Sequence, residues 1–467
     1  MADLGQRLYR VWERYRACFQ TRTRDTSDLA YVHLRGQLTL DAKRNFAQME
    51  ERLRGGDGQA LQHFMSNSPW ASRAVFAQLQ AEVRATPGLE HGGVLILDES
   101  ADEKSGEHSV GAARQYNGRL GKIGLCQVAT CLTYANPNLG VWTLLDGELF
   151  LPEAWLGDDY AGLRQELGVP AERTFETKPE LGLKMIRRVM AAGVPFERVA
   201  CDELYGRGQT FRAVLDANGL RYAAQIPATT QVYLNEPRVG VPHRRHRLGQ
   251  PPKRLKVLSH QRPREVRALA KSAQTVWQRF RVRLTERGWL DAEFAVRRVW
   301  TVAPNQSPCA DWLVIRREHD GDCQYTLLND PAETPVQTLI QASCQRCWTE
   351  RAFQDAKTDL GWDEFQAQKY QAWEHHLALT ALALWFVAQT KLDWRQTYAH
   401  DPQLLDQLQV EVLPALSTAN VRELLKAVLP APQLTLDDAT QLVVAHLVRR
   451  ARSTASRLKT QNHVGFL

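Results

Sequence analysis

Three acidic residues far apart in the chain, Asp98, Asp202 and Glu350, have the type and the setting that divalent-metal chemistry needs. Asp98 follows VLIL in the run VLILDES, a continuous apolar stretch that reads as a buried central strand, and Asp202 follows the shorter RVAC in the same manner. Neighbouring strands of one sheet present their ends side by side, so two such carboxylates can converge on one hard cation that keeps its other positions for water and substrate phosphate. A second ion about 3.5 to 4 Å away calls for a third carboxylate, which a helix packed on the sheet has to supply. Glu350 suits that place. On a helix expected from about Ala342 to Leu360, Arg346, Glu350 and Lys357 fall at i−4, i and i+7 and share one face. One acid would then meet the metals, with a cation on either side for DNA phosphate. Taken singly, each of the three also reads as a surface or capping acid; the combination is what points to phosphodiester chemistry.

The charge distribution supplies the partner. Between Arg238 and Arg287 there are 15 Lys and Arg against two acids, Glu265 and Glu286, so the net charge of +7 is concentrated in this segment and the rest is slightly acidic. Arg244, Arg245 and Arg247 in HRRHR, with Lys253, Arg254 and Lys256 in KRLK, form the kind of surface that displaces counterions from nucleic-acid phosphates. A solvated basic loop has the same appearance when it stands alone. Lys122 reads either as a residue near DNA or as a plain surface lysine. Trp277, Trp289 and Trp300 could stack on an unpaired base or pack in a core. NGRLGKIG is not a phosphate loop, because Tyr116 and Ile123 occupy the positions where a Walker loop needs Gly and Ser or Thr. Cys344 and Cys347 lack the further cysteine or histidine pair of a zinc site, and His375 and His376 are expected to flank an apolar helix.

The elements that must position these residues can be read in outline. With 467 residues, 44% apolar and 24% charged, the chain has the composition of a folded globular protein too long for one small binding module. Residues 1–88 show helical spacing, with a candidate helix-turn-helix around Gln59 to Gln78 that plain helical packing explains equally well. From 89 to 227 the order is three strands, a helix, a strand, a helix and a strand, a mixed α/β sheet covered by helices. Residues 228–338 read as a basic, β-rich insertion, 339–395 as the return to the core with the Glu350 helix, and 396–467 as a helical tail. No apolar run reaches the length of a bilayer span. The N-terminus lacks a signal-peptide pattern, so a cytoplasmic protein that keeps its eight cysteines reduced is expected.

Several blocks carry a family resemblance: VLILDES, HSVGAARQYNGRLGKIGLCQVATCL, LFLPEAW, VPFERVACDELYGRG and QRCWTERAFQDAKTDLGWDEFQAQKYQAWEHHLALTALAL, with YVHLRGQLTLDAKRN nearer the N-terminus. Over about residues 30–390 the chain resembles the DDE transposases of bacterial insertion sequences, specifically the insertion-sequence 701 family, related to the insertion-sequence 4 group. The resemblance implies an RNase H-like mixed sheet with a β-rich insertion and helical flanks. It implies Asp98, Asp202 and Glu350 as catalytic, metal-holding residues, with two Mg²⁺ ions for which Mn²⁺ can substitute. An R-x3-E-x6-K pattern lands on Arg346, Glu350 and Lys357. Ser343 stands where related sequences often have Tyr, and Gln368, Lys369 and Tyr370 replace a more usual Arg-Ser-Trp. The implied activity is binding of terminal inverted repeats, hydrolytic cutting of the ends, and joining of the 3′ hydroxyls to double-stranded target DNA by a homodimer in the bacterial nucleoid. The alternative is an RNase H-like DNA-binding protein, or a nuclease without strand transfer.

Overall fold

In a computed structural model, residues 3–41, 44–118, 120–242, 253–258, 260, 262–285, 288–318, 321–364 and 366–430 are described, with part of 437–459. Arg244, Arg245 and Arg247 lie outside the described residues. The centre of the molecule is a ten-stranded mixed sheet. Its first strands are β1 (Val94–Glu103), β2 (Ala113–Asn117), β3 (Lys122–Asn136), β4 (Val141–Phe150), β5 (Arg198–Cys201) and β6 (Tyr222–Gln225). β5 pairs in parallel with both β1 and β6, while β3 runs antiparallel to β1 and carries β4 and β2 on its other edge. The order β4-β3-β1-β5-β6, with helices on the sheet, is an RNase H-like core.

Two parallel connections fix the middle of this sheet. Helix α6 (Lys178–Ala191) leads from β4 into β5, and α7 (Gln209–Ala217) leads from β5 into β6. The start of α6 is held by a capping box between Thr177 and Glu180, with Pro179 in its first turn. The helix packs closely on β1 because Gly182 carries no side chain: a Cβ there would sit 2.3 Å from Leu97 Cδ2. The core has the strands and helices expected from hydrophobic periodicity, with one strand more: the short, half-exposed β2, which lies on the edge of β3 and carries no apolar run to announce it. A further difference is that β1 does not stop at Asp98. The 15-residue β3 continues to pair with it as far as Glu103, so Asp98 lies mid-strand.

The basic insertion is continuous with the core. Its strands β7 (Gln278–Thr285), β8 (Gly288–Val302), β9 (Pro308–Arg317) and β10 (Cys323–Leu328) form an antiparallel meander, and β10 pairs with β6 to extend the same sheet. Buried polar contacts close the seam. Asp311 accepts hydrogen bonds from Tyr222 Oη at 2.6 Å and Thr301 Oγ1 at 2.7 Å, and Arg198 grips Asp330 through two bonds of 2.9 and 3.1 Å.

A helical layer covers the other end of the sheet. α1 (Leu4–Tyr15), α2 (Ser27–Thr39), α3 (Phe46–Arg54), α4 (Gln59–Ser66) and α5 (Ser72–Ala85) precede β1. Helix α8 (Val336–Ser343) and the short helix α9 (Cys347–Gln354), which carries Glu350, follow the insertion, then the long α10 (Tyr370–Thr397) and α11 (Thr418–Val428). Helix α10 is buried along most of its length, as the apolar stretch Leu377 to Ala388 requires. It lies against β4 and is flanked by α2, α4 and α5. The candidate helix-turn-helix, α4 and α5, spends its apolar face on this contact through Leu61, Phe64, Val75, Phe76 and Leu79. Helix α11 closes the layer from the C-terminal side, where Arg422 donates to the carbonyls of Leu38 and Leu40.

Candidate active site

The alternation of β1 decides which way Asp98 points. Leu95 and Leu97 belong to the main core on the α6 side, whereas Val94 and Ile96 pack under Trp348 of α9. With a side-chain period of two, Asp98 shares the face of Val94 and Ile96, the face on which α9 lies. In the parallel register Leu97 stands opposite Cys201, so Asp98 and Asp202 each lie one step beyond the same rung. β5 ends there, and Asp202 caps the next helical turn by accepting from the backbone N–H groups of Leu204 and Tyr205. That turn approaches β6 so closely that a Cβ on Gly206 would lie 1.9 Å from the Gln225 carbonyl oxygen.

Helix α9 is docked on the sheet by the residues just before Glu350. Trp348 stacks on Trp142 with ring centroids 5.4 Å apart, and the hydroxyls of Thr349 and Thr133 meet at 2.8 Å. The continuous helix expected from Ala342 to Leu360 is replaced by three pieces. Helix α8 ends at Ser343, whose hydroxyl donates to the Ile340 carbonyl, a local bond that competes with helical continuation. α9 begins after Arg346, and a π-helical turn at Asp355–Asp359 follows it. This wider turn resets the face presented afterwards. Lys357, within this turn, donates to the Ala101 carbonyl at 2.8 Å and lies over Trp362. Arg346 and Glu350 do act together: Arg346 donates one Nη to Asp98 Oδ2 at 2.7 Å and the other to Glu350 Oε1.

Burial acts on Asp98 and Asp202 alike. Burial pushes the Asp98 carboxyl up to about 6, with the negative charge of Asp202 adding to the effect and Arg346 opposing it. Burial also raises Asp202, helped chiefly by Glu99. Glu350 remains 57% exposed at its side chain. Glu99 is a contributor that periodicity alone did not single out: it faces the other side of β1 and pairs with Lys178 of α6 at 2.9 Å. Its signal in the sequence is the doubled acid of VLILDES.

The donor chemistry of Asp98 and Asp202 fits a divalent cation: both are oxygen acids whose charged forms burial disfavours, with Arg346 paired to Asp98 in the place where a metal could supply the countercharge. As they stand, no three His, Cys, Asp or Glu side chains among the described residues are grouped to hold a metal. Glu350 is linked to Asp98 through the guanidinium of Arg346.

Of the remaining residues read as DNA-facing, Lys122 is exposed at the start of β3, and Lys253, Arg254 and Lys256 are exposed beside a short strand pairing. Trp289 is exposed, Trp277 lies under the Arg317 guanidinium, and Trp300 is partly buried in β8. His375 stacks on Trp70 and bonds the Met65 and Trp70 carbonyls, while His376 bonds the Trp362 carbonyl.

Comparison with known proteins identifies the family of the chain. Residues 14–288, more than half of the chain and including Asp98 and Asp202, match the family model described as DDE superfamily endonuclease. The chain belongs to that family. Its members generally act with divalent metal ions on DNA. The chain is also 26% identical over 350 residues to the "Probable transposase for insertion sequence element IS701" of Microchaete diplosiphon, covering 73% of this chain and 77% of that one. This DDE protein is thus an enzyme of the nuclease and transposase class, and among its described residues no helix is long and apolar enough to cross a membrane.

Proposed function

We propose that this DDE protein is a transposase that binds the inverted terminal repeats of its own insertion sequence, cuts them by metal-assisted phosphodiester hydrolysis, and joins the freed 3′ hydroxyls to target DNA. The observation that carries this reading is the pair Asp98 and Asp202 beyond one rung of adjacent parallel strands, with Arg346 bridging Asp98 to Glu350. Asp98 and Asp202 would hold the first of two Mg²⁺ or Mn²⁺ ions, and Glu350 would complete the second position once Arg346 turns from the carboxylates to a DNA phosphate. When bound, such ions stabilise charge on the attacking and leaving oxygens of an in-line displacement.

The residues themselves perform the remaining tasks. The backbone N–H groups of Leu204 and Tyr205 hold one oxygen of Asp202 and fix its orientation. Arg346 is suited to bidentate phosphate recognition because its planar guanidinium offers two parallel donors. Lys122, Lys253, Arg254, Lys256 and the HRRHR arginines would track the duplex backbone, and two copies of the chain would pair two ends.

Asp98→Asn, Asp202→Asn and Glu350→Gln variants, incubated with Mg²⁺ and duplexes carrying the element's ends, test the proposal. All three are expected to bind DNA and fail to cut it; near-full cutting by any one removes that residue from the site. Cutting by the wild type without joining to a target plasmid reduces the function to that of a nuclease. Binding without cutting reduces it to that of a DNA-binding protein.

A further inference from the structure

A second group of arginines lies beside the acids, contributed by the insertion. The inner face of the insertion sheet is apolar over most of its area: Ala292, Phe294, Val314 and Leu328 pack against Leu339, Ile340 and Ala342 of α8. Toward Glu350 that face changes character. A cavity of about 260 Å³ opens there, lined by Arg283, Leu290, Arg316 and Gln324 from the insertion and by Arg346, Cys347 and Glu350 from the catalytic-helix side.

Two features of the sheet put the arginines in this cavity. Strand β7 alternates Phe280 and Val282 inward with the exposed Arg279 and Arg281 outward, an order that would send Arg283 to solvent. A β-bulge intervenes between Arg281 and Arg283, and Arg283 then pairs with Leu290, two residues before the inward-facing Ala292. The bulge therefore returns Arg283 to the inner face, as bulges near functional sites do. Its guanidinium lies over the Trp348 ring at 5.3 Å. Arg316 pairs across the ladder with Phe294, one of the most deeply buried inner residues, and so shares that face.

These positions are expensive for charge unless an anion meets it. Among the described residues, three guanidinium groups border the cavity against one carboxylate, that of Glu350. Arg316 has an ion pair with Glu318 at 2.8 Å, yet among the described residues its Nε is buried without a hydrogen-bond partner, and so is Nε of Arg283. A compact, doubly hydrogen-bonding anion would satisfy both donors.

We infer that Arg283 and Arg316 form a binding pocket for a backbone phosphate of the DNA strand, next to the bond being cut. The inference rests on the proposed DNA-cutting function and adds to it a substrate contact supplied by the insertion. The bulge and the arginine pair make the β-rich insertion part of the active-site wall.

The test uses full-length protein and a labelled duplex ending in the element terminus, with binding measured by anisotropy from 50 to 200 mM salt. Arg283→Gln/Arg316→Gln is expected to bind about tenfold more weakly, with a salt slope reduced by about one, the value for one lost phosphate contact. In the wild type, one uncharged methylphosphonate near the cut should cause the same loss, and in the variant it should cause no further loss. Arg283→Lys/Arg316→Lys, which keeps the charge and loses the planar fork, should fall between the two and guards against misfolding of the glutamine pair. Wild-type affinity and slope in the variants, or an undiminished response to every methylphosphonate, would overturn the pocket. A wild type that fails to bind the duplex overturns the proposed function itself.

Discussion

The acids of the strands and the acid of the helix are held in opposite ways. Asp98 sits within a buried strand and Asp202 at the end of another, both strands held in register by several neighbours, and backbone N–H groups orient both acids: that of Glu99 for Asp98, those of Leu204 and Tyr205 for Asp202. Glu350 projects from a helix of eight residues, bounded by an irregular turn before it and a π turn after it, with its carboxylate largely in solvent. A shelf and an arm are thus joined by one guanidinium, that of Arg346. On the proposed function, the difference teaches that the shelf would be preorganised for a cation, while closing the site would require Arg346 to exchange its carboxylates for something else. Preorganisation on rigid elements is where catalytic precision comes from, and the movable partner is where substrate can be made a condition of assembly.

The comparison breaks most directly at the chemistry. Replacing any of the three acids should lower end cleavage by at least about a thousandfold, roughly 4 kcal/mol of barrier, because each is asked to hold a charge-stabilising ion. A gel assay of strand cutting reads this. If Glu350→Gln retains activity while the strand variants lose it, the arm is not part of the site and the shelf acts alone.

Next in size is the support of the shelf. Arg198 opens β5 and holds Asp330 in a buried, two-bond ion pair. Arg198→Met leaves that carboxylate without its cation and should cost about 3–5 kcal/mol in denaturant unfolding. Loss of less than about 1 kcal/mol would mean that the strand carrying Asp202 is anchored elsewhere.

How far this arrangement was legible in the sequence follows the same division. VLIL and RVAC are apolar runs whose physics is local, and the order of strands and helices around them was readable because each element announces itself by period and caps. The acids at Asp98 and Asp202 followed from those strands. The residue pattern around Glu350 predicts a continuous helix, because the breaks go with tertiary docking of Trp348 and Thr349 on the sheet and with the Ser343 hydroxyl bond, none of which alters the apolar period. The turn of Arg283 into the site depends on a single bulge, and a one-residue slip inverts a strand's faces without any mark in a run such as RFRVRLT. The long β1 needed the length of its partner β3 to be known.

Smaller again is the cost of keeping the shelf charged. The Asp98 carboxyl lies above its ordinary range, at about 6, chiefly through burial. Between about pH 4 and 6 the native state then binds more protons than the unfolded chain, so stability falls as pH rises through that window and stays reduced above it. In a metal chelator at pH 8, Asp98→Asn should recover on the order of 2–3 kcal/mol at most, since two pKa units correspond to about that much. Its melting temperature should exceed that of the wild type at pH 8 and approach it near pH 4. Equal pH profiles for the two proteins would show that Arg346 already compensates the buried charge.

The smallest effect should come from the arm. Glu350→Gln removes a carboxylate that is mostly exposed, and its ion pair with Arg346 is one side of a bridge whose other side, to Asp98, survives. Exposed pairs contribute about 0–1 kcal/mol, so unfolding free energy should move by no more than about half a kilocalorie while cleavage collapses. Arg346→Gln supplies the complement. With the guanidinium gone, the acids lose their internal cation, and Mn²⁺ titration in the absence of DNA should show tighter binding than in the wild type, by about tenfold. Unchanged Mn²⁺ affinity would place Arg346 outside any competition with the metal, and a large loss of stability in Glu350→Gln would make the arm as fixed as the shelf.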